Sequence, residues 1–259
     1  MRRDRSLRTE AIILRRSDFG EADRLLTLYT REVGKIRAIA KGARKPQSRK
    51  TGHIELFMRS NLLIATGRNL DIVTQAELVD PHRNLTGDIV RTTYAAYAAE
   101  LLDSFTPDEE RHLGIYQLLV DGLQAFDTSD NLLLAARYFE LRLLSLVGFQ
   151  PQLFYCVVSG EPIEQEDQYF SGEEGGFIKP EYRNRDPRAR RVSAAAVKVL
   201  RYLQTRNWQT VENLQLRREL HHELEMTMHF YLQHLLEKGL KSTDFLYRLR
   251  RESRLTDTP

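Results

Sequence analysis

The chain has 259 residues, of which 41% are hydrophobic and 29% charged, enough for one large domain or two ordinary ones with cores of their own. A single cysteine, Cys156, excludes an intramolecular disulfide. No apolar run reaches the length of a membrane span, and the basic start Met1–Arg8 is not followed by a signal-peptide stretch, so a cytoplasmic protein is expected. The net charge of +3 is unevenly spread: residues 1–80 hold 17 Lys and Arg against 10 Asp and Glu, and the remainder holds 22 against 26. A basic N-terminal module facing a polyanion follows from that asymmetry.

Residues 9–79 carry short apolar or alternating runs at 11–14, 25–29, 35–40, 54–64 and 70–78, separated by turn signals such as Asp18-Phe19-Gly20 and Gly67-Arg68-Asn69. Five short strands predict a small closed barrel of the OB type, with an SH3-like barrel as the alternative. Within this region lies the densest basic stretch, Lys35 to Lys50. In its strand part Ile36, Ala38 and Ala40 share one face, and Lys35, Arg37 and Lys41 the other. Gly42, Pro46 and Ser48 then turn the chain into a loop loaded with Arg44, Lys45, Arg49 and Lys50. A cationic strand running into a cationic loop suits a phosphate backbone read without base preference. A solvated strand edge kept soluble by lysines is the alternative.

After Asp80-Pro81 the period becomes helical. Val90, Tyr94, Tyr97 and Leu101 form one stripe, Leu113 to Leu123 a second, and Leu132, Ala136, Phe139, Leu143 and Val147 a third. Thr106-Pro107-Asp108-Glu109 has the form of a capping box and predicts a helix start. Gly148 is a C-cap candidate, and Pro151 stops continuation. An insertion at about 149–190 follows; its Gly-, Pro- and acid-rich part, 149–182, leads into a second basic run, Arg183, Arg185, Arg188, Arg190 and Arg191, which could pair with those acids or extend the phosphate-binding surface. Helices resume at Ser193 and again from about Leu214 to Leu236, and the end, Tyr247 to Arg254, is basic. The reading is α+β: an N-terminal five-stranded OB-fold domain over 1–80, then an all-helical domain over 81–259 interrupted by a small insertion.

The order of these features resembles the bacterial RecO family of recombination mediators over essentially the whole chain. The residues that carry the likeness are Lys41-Gly42-Ala43-Arg44 with its strand, the segment Phe139 to Gly148, and Cys156-Val157-Val158-Ser159-Gly160-Glu161-Pro162 with the later Gly175-Gly176-Phe177-Ile178. The resemblance implies a non-enzymatic role in DNA repair and homologous recombination: binding single- and double-stranded DNA, annealing complementary strands, and working with a partner called RecR to load the recombinase onto DNA covered by single-stranded-DNA-binding protein. It implies bacterial cytoplasm, at the nucleoid. It further implies contact with the acidic, Phe-ending C-terminal tail of that binding protein, and it places a tail-binding arginine at Arg137, ahead of Arg142. An i,i+3 contact of Arg137 with Glu140 is the alternative there. Many family members bind zinc in the insertion through two Cys-x-x-Cys pairs. Here only Cys156 is present and no histidine lies between 113 and 220, so a zinc-free insertion is expected, packed on Phe154, Tyr169, Phe170 and Phe177.

No catalytic pattern or cofactor motif emerges. There is no Gly-Lys-Ser/Thr phosphate loop and no Gly-x-Ser-x-Gly elbow, and Met226 stands where the His221–His229 run would need the second histidine of a His-Glu-x-x-His site. The barrel has only Phe19, Tyr29 and Phe57 as aromatics, so its DNA contact is expected to be mainly electrostatic. A protein-interaction adaptor with weak nucleic-acid affinity is the competing reading.

Overall fold

Alternating residues form five strands, β1 (Ser6–Phe19), β2 (Asp23–Thr30), β3 (Gly34–Ala40), β4 (Arg59–Ala65) and β5 (Asp71–Asp80). The computed structural model describes residues 6–237 together with Leu240, Ser242 and Leu246; the basic end at 247–254 lies outside the described residues. The strands close into a barrel in the order β1-β2-β3-β5-β4, antiparallel throughout except for β3 with β5. Ile13, Leu26, Leu28, Ile36, Leu62, Ile64 and Val73 fill its interior, each from the inward face of its strand. The barrel is the OB-like one expected, and the helices that follow make the fold α+β. The strand expected from Ile54 starts only at Arg59: Thr51–His53 is a short 3-10 turn, Ile54 is fully buried, and Phe57 takes a positive φ of 62° while donating its N–H to Ile13 O.

Three helices pack beside the barrel, α1 (Arg83–Gly87), α2 (Ile89–Phe105) and α3 (Leu113–Thr128). Asp88 caps α2, accepting from the N–H groups of Val90 and Arg91. Tyr94 stacks on Phe126 at 5.9 Å to join α2 and α3, and the Tyr116 hydroxyl donates to Glu10 Oε1 at 2.6 Å to join α3 to β1. The helix start expected at Thr106 is not formed. Thr106 instead ends α2, its N–H and hydroxyl both donating to Leu102 O, and Asp108 makes a parallel bridge with Lys35. Glu109 donates its N–H to Lys35 O at 2.8 Å. A strand that needed covering there outweighed the local capping preference. Gly34 marks the closeness of the fit: its φ is +76°, and a Cβ on it would stand 1.9 Å from Glu110 O.

The chain divides into two compact units at Thr128/Ser129. The change from strand to helix near residue 80 therefore lies inside the first unit, because the contacts of Lys35, Gly34 and Glu10 bind α2, α3 and their connection to the barrel.

The second unit contains α4 (Leu132–Leu146), a three-stranded sheet of β6 (Gln168–Ser171), β7 (Gly176–Ile178) and β8 (Arg190–Val192) in the order β7-β6-β8, then α5 (Ala194–Thr205), α6 (Trp208–Val211) and α7 (Arg218–Leu236). Asn131 and Ser193 cap α4 and α5, and Gly148, at φ +84°, ends α4 with Phe149 N–H bonded to Leu144 O. Phe170 and Phe177 are fully buried and meet edge to face at 5.5 Å, and Phe170 meets Tyr231 of α7 at 5.3 Å. Burying each Phe ring contributes about 2 kcal/mol. Phe154 does not join them. It is 38% exposed, with the Arg201 guanidinium 5.2 Å over its ring, and Tyr169 carries Arg183 in the same way.

Candidate nucleic-acid interface

The loop after β3 is a chain of tight turns held at fixed points. Ala43 is fully buried, and bonds from Lys45 N–H to Gly42 O and from Ser48 N–H to Lys45 O fold the loop on itself. Gly42 N–H donates to Asp23 Oδ1 at 2.7 Å, and Arg44 N–H to Ala22 O at 2.8 Å, so the loop is tied to the β1–β2 turn. With the backbone held inside, the long side chains point outward. Lys41, Lys45, Arg49 and Lys50 line one open cleft of about 580 Å³, with Thr74 of β5 on its wall. Lys41, Lys45 and Arg49 are exposed and make no ion pair among the described residues. Lys50 is half-buried and donates to Val73 O at 3.1 Å. Burial holds its ammonium below the ordinary lysine value, against the opposing pull of Asp23.

The remaining cations of the predicted set fare differently. Arg37 is exposed on the outer face of β3. Arg44 stands 3.4 Å from Asp18, a pair open to solvent on both sides. Lys35 must be removed from the DNA-binding set. It is 6% exposed, and its ammonium donates to Asp103 Oδ1 at 2.9 Å, to Asp103 O at 2.9 Å and to Thr106 O at 2.6 Å, with Asp108 at 3.4 Å. All three ammonium donors are engaged, so no phosphate can reach them. The same covering segment brings Glu110 near Tyr29, whose phenol is pushed up to about 12 by burial first and by that carboxylate second. Sequence reasoning missed Arg15, which is 58% exposed at its side chain, pairs with Asp103 at 2.8 Å, and lies in one cross-strand row with Thr27 and Arg37. Only the strand register could have shown it.

In the second unit all five arginines of the other basic run are exposed. Arg191 pairs with Asp167 at 2.6 Å, while Arg183 and Arg190 lie over Tyr169 and Phe230. Arg185 and Arg188 make no side-chain ion pair among the described residues. The insertion's Glu161 is taken by Lys179 at 2.7 Å instead.

Arg137 is not at a rim. It is 5% exposed and pairs with the fully buried Glu140 and, at 3.9 Å, with Glu225 of α7. The i,i+3 partner expected as the alternative is present, but inside the helical core, because the stripe of α4 that meets α7 includes position 137. Arg142 is half-buried beside aromatics: its guanidinium lies 5.0 Å over Tyr138 and donates to Arg206 O, and Tyr138 lies 5.4 Å from Trp208.

The insertion does not fit a four-ligand zinc site. Cys156 is 1% exposed, and its sulfur accepts from Lys179 N–H at 3.5 Å. Burial alone would raise its pKa; hydrogen bonds from the Ser159 hydroxyl and from backbone N–H groups at 179, 159 and 158 outweigh that and lower it. Among the described residues no cluster of three or more His, Cys, Asp or Glu side chains is placed to hold a metal ion.

This basic, OB-like barrel joined to a helical unit matches two family models. Residues 1–82 match the N-terminal region of recombination protein O, and residues 86–244 its C-terminal region. The chain belongs to the RecO family. A DNA repair protein RecO from Roseiflexus sp. (strain RS-1) is 40% identical over 257 residues, covering 99% of this chain and 90% of the relative. Proteins of the same name from Dehalococcoides mccartyi (strain 195) and Symbiobacterium thermophilum are each 35% identical, covering 97% and 93% of this chain and 99% and 96% of theirs. Among the described residues no helix is long and apolar enough to cross a membrane.

Proposed function

We propose that this protein is a DNA repair and recombination mediator that holds DNA by its phosphates and brings complementary strands together. The observation that carries the reading is the cleft shared by Lys41, Lys45, Arg49 and Lys50, three of them open cations on a backbone fixed from inside. Such a surface binds single strands and duplex alike, as annealing requires, since the protein must hold both reactant and product. Arg37 extends the surface along β3, and the arginines at 183, 185, 188 and 190 offer a second basic patch in the other unit. Membership of the RecO family supports action in the bacterial cytoplasm at the nucleoid, with RecR, in loading a recombinase where single-stranded-DNA-binding protein covers the strand. The insertion is read as zinc-free, and no cofactor or catalytic step is assigned.

The test is annealing of complementary oligonucleotides, with and without bound single-strand-binding protein, beside a salt titration. About four single-strand phosphate contacts give a slope of log affinity against log salt near −3. Charge reversal at Lys41 and Lys45 together is expected to weaken binding to all sequences alike and to flatten that slope. Unchanged affinity would move the site to the arginines at 183–191.

For the acidic, Phe-ending tail of the binding protein, the group to consider is Arg142 with Tyr138, Trp208 and the exposed Arg206. Half-buried rings beside cations suit an apolar residue followed by carboxylates. Calorimetry of Arg142→Ala with a tail peptide tests it.

A further inference from the structure

The barrel holds three aromatic residues, and burial separates them. Tyr29 and Phe57 are 1% and 4% exposed, while Phe19 is 48% exposed. The place of Phe19 is set by register. It closes β1 opposite Asp23, and the pairs Ser17–Leu25 and Arg15–Thr27 lie on the same face, because side chains alternate along a strand. β2 passes that face to β3, with Leu25 opposite Ile39 and Thr27 opposite Arg37. Phe19, Arg15 and Arg37 thus share the outer surface of three adjacent strands. The turn that follows Phe19 is tied to the basic loop by the bonds from Gly42 to Asp23 and from Arg44 to Ala22. An open ring therefore stands on the cation-bearing face, at the end next to the loop that carries Lys41.

The charges around the ring select what can approach it. Asp18, Glu21 and Asp23 surround the turn; Asp18 faces Arg44, and Asp23 accepts from Gly42. A phosphate is repelled from that spot and drawn to the loop instead. An uncharged base is not repelled, and its face can lie on the ring. A base inside a duplex has both faces covered by its neighbours and cannot make this contact, whereas a single strand can. We propose that Phe19 is a stacking platform for one base, giving this DNA surface a component specific to single strands. The inference rests on the DNA-binding reading above and sharpens it, since the loop cations alone do not distinguish the two forms.

The experiment is fluorescence anisotropy of the full chain with a labelled oligothymidylate and with a duplex of equal length, at one salt concentration. Phe19→Ala and Phe19→Leu are expected to lose about tenfold in single-strand affinity, with duplex affinity and both salt slopes unchanged. Phe19→Trp should bind as the wild type does, and the added indole should be quenched by the single strand but not by the duplex. Wild-type single-strand affinity in Phe19→Ala, or an equal loss on duplex, overturns the platform while leaving the loop as the DNA site. Wild-type protein that binds neither form overturns the DNA-binding reading and this one with it.

Discussion

Lys35 lies within β3 and Lys41 directly follows it, as Arg137 and Arg142 share one helix, and in each pair one cation is enclosed and the other stays at the surface. Lys35 is covered by the end of α2 and the connection that follows it: Asp103 of the helix gives a carboxylate and a carbonyl, and Thr106 O and Asp108 beyond it give the others. Lys41 stands where that cover has ended and opens on a cleft shared with other cations. On α4, Arg137 faces the buried carboxylates of Glu140 and Glu225, while Arg142 turns to the half-buried rings of Tyr138 and Trp208. The enclosed member of each pair holds the fold together, since its donors are committed and its removal strands buried acceptors. The outer member keeps donors or an aromatic setting that a ligand can use. Charge in a basic segment is thus a binding resource only where nothing from the same chain has already claimed it.

Four substitutions would break or sharpen that contrast. The largest effect is expected from Arg137→Ala, which removes a cation from beside two buried carboxylates and should cost about 3–5 kcal/mol in denaturant unfolding. A loss below about 1 kcal/mol would place Arg137 with the surface arginines after all. Next, Lys35→Ala should cost about 3 kcal/mol while the folded fraction keeps its DNA affinity. Arg37→Ala should do the reverse, leaving stability within about 0.5 kcal/mol and lowering the single-strand salt slope by about 0.7. If Lys35→Ala alters the salt slope and Arg37→Ala does not, the division drawn along β3 is misplaced. The smallest effect is expected from Arg142→Ala: an unchanged melting temperature and about a tenfold loss of tail-peptide affinity, about 1.4 kcal/mol. Wild-type peptide affinity in that variant would leave the aromatic group around Arg142 as helix packing.

Much of the architecture followed from local pattern. Period-two alternation placed the barrel, because each inward residue of a strand depends only on its neighbours along the chain. Ser193 and Gly148 marked helix ends through bonds made within a few residues. Thr106-Pro107-Asp108-Glu109 had an equally good local signal and failed, since β3 offered Asp108 and Glu109 backbone and ionic partners from far earlier in the sequence. Phe154 failed for the same kind of reason, held outward under Arg201.

The sequence by itself determined that this chain has a basic β-barrel, a helical remainder and a cation-rich loop, because composition and periodicity act over short distances. Which of those cations remain available was decided only by the tertiary structure. Enclosure of Lys35 depends on Asp103, Thr106 and Asp108, and that of Arg137 depends partly on Glu225. A charge is desolvated or left in water by whatever packs against it, and those groups come together only when the chain has folded.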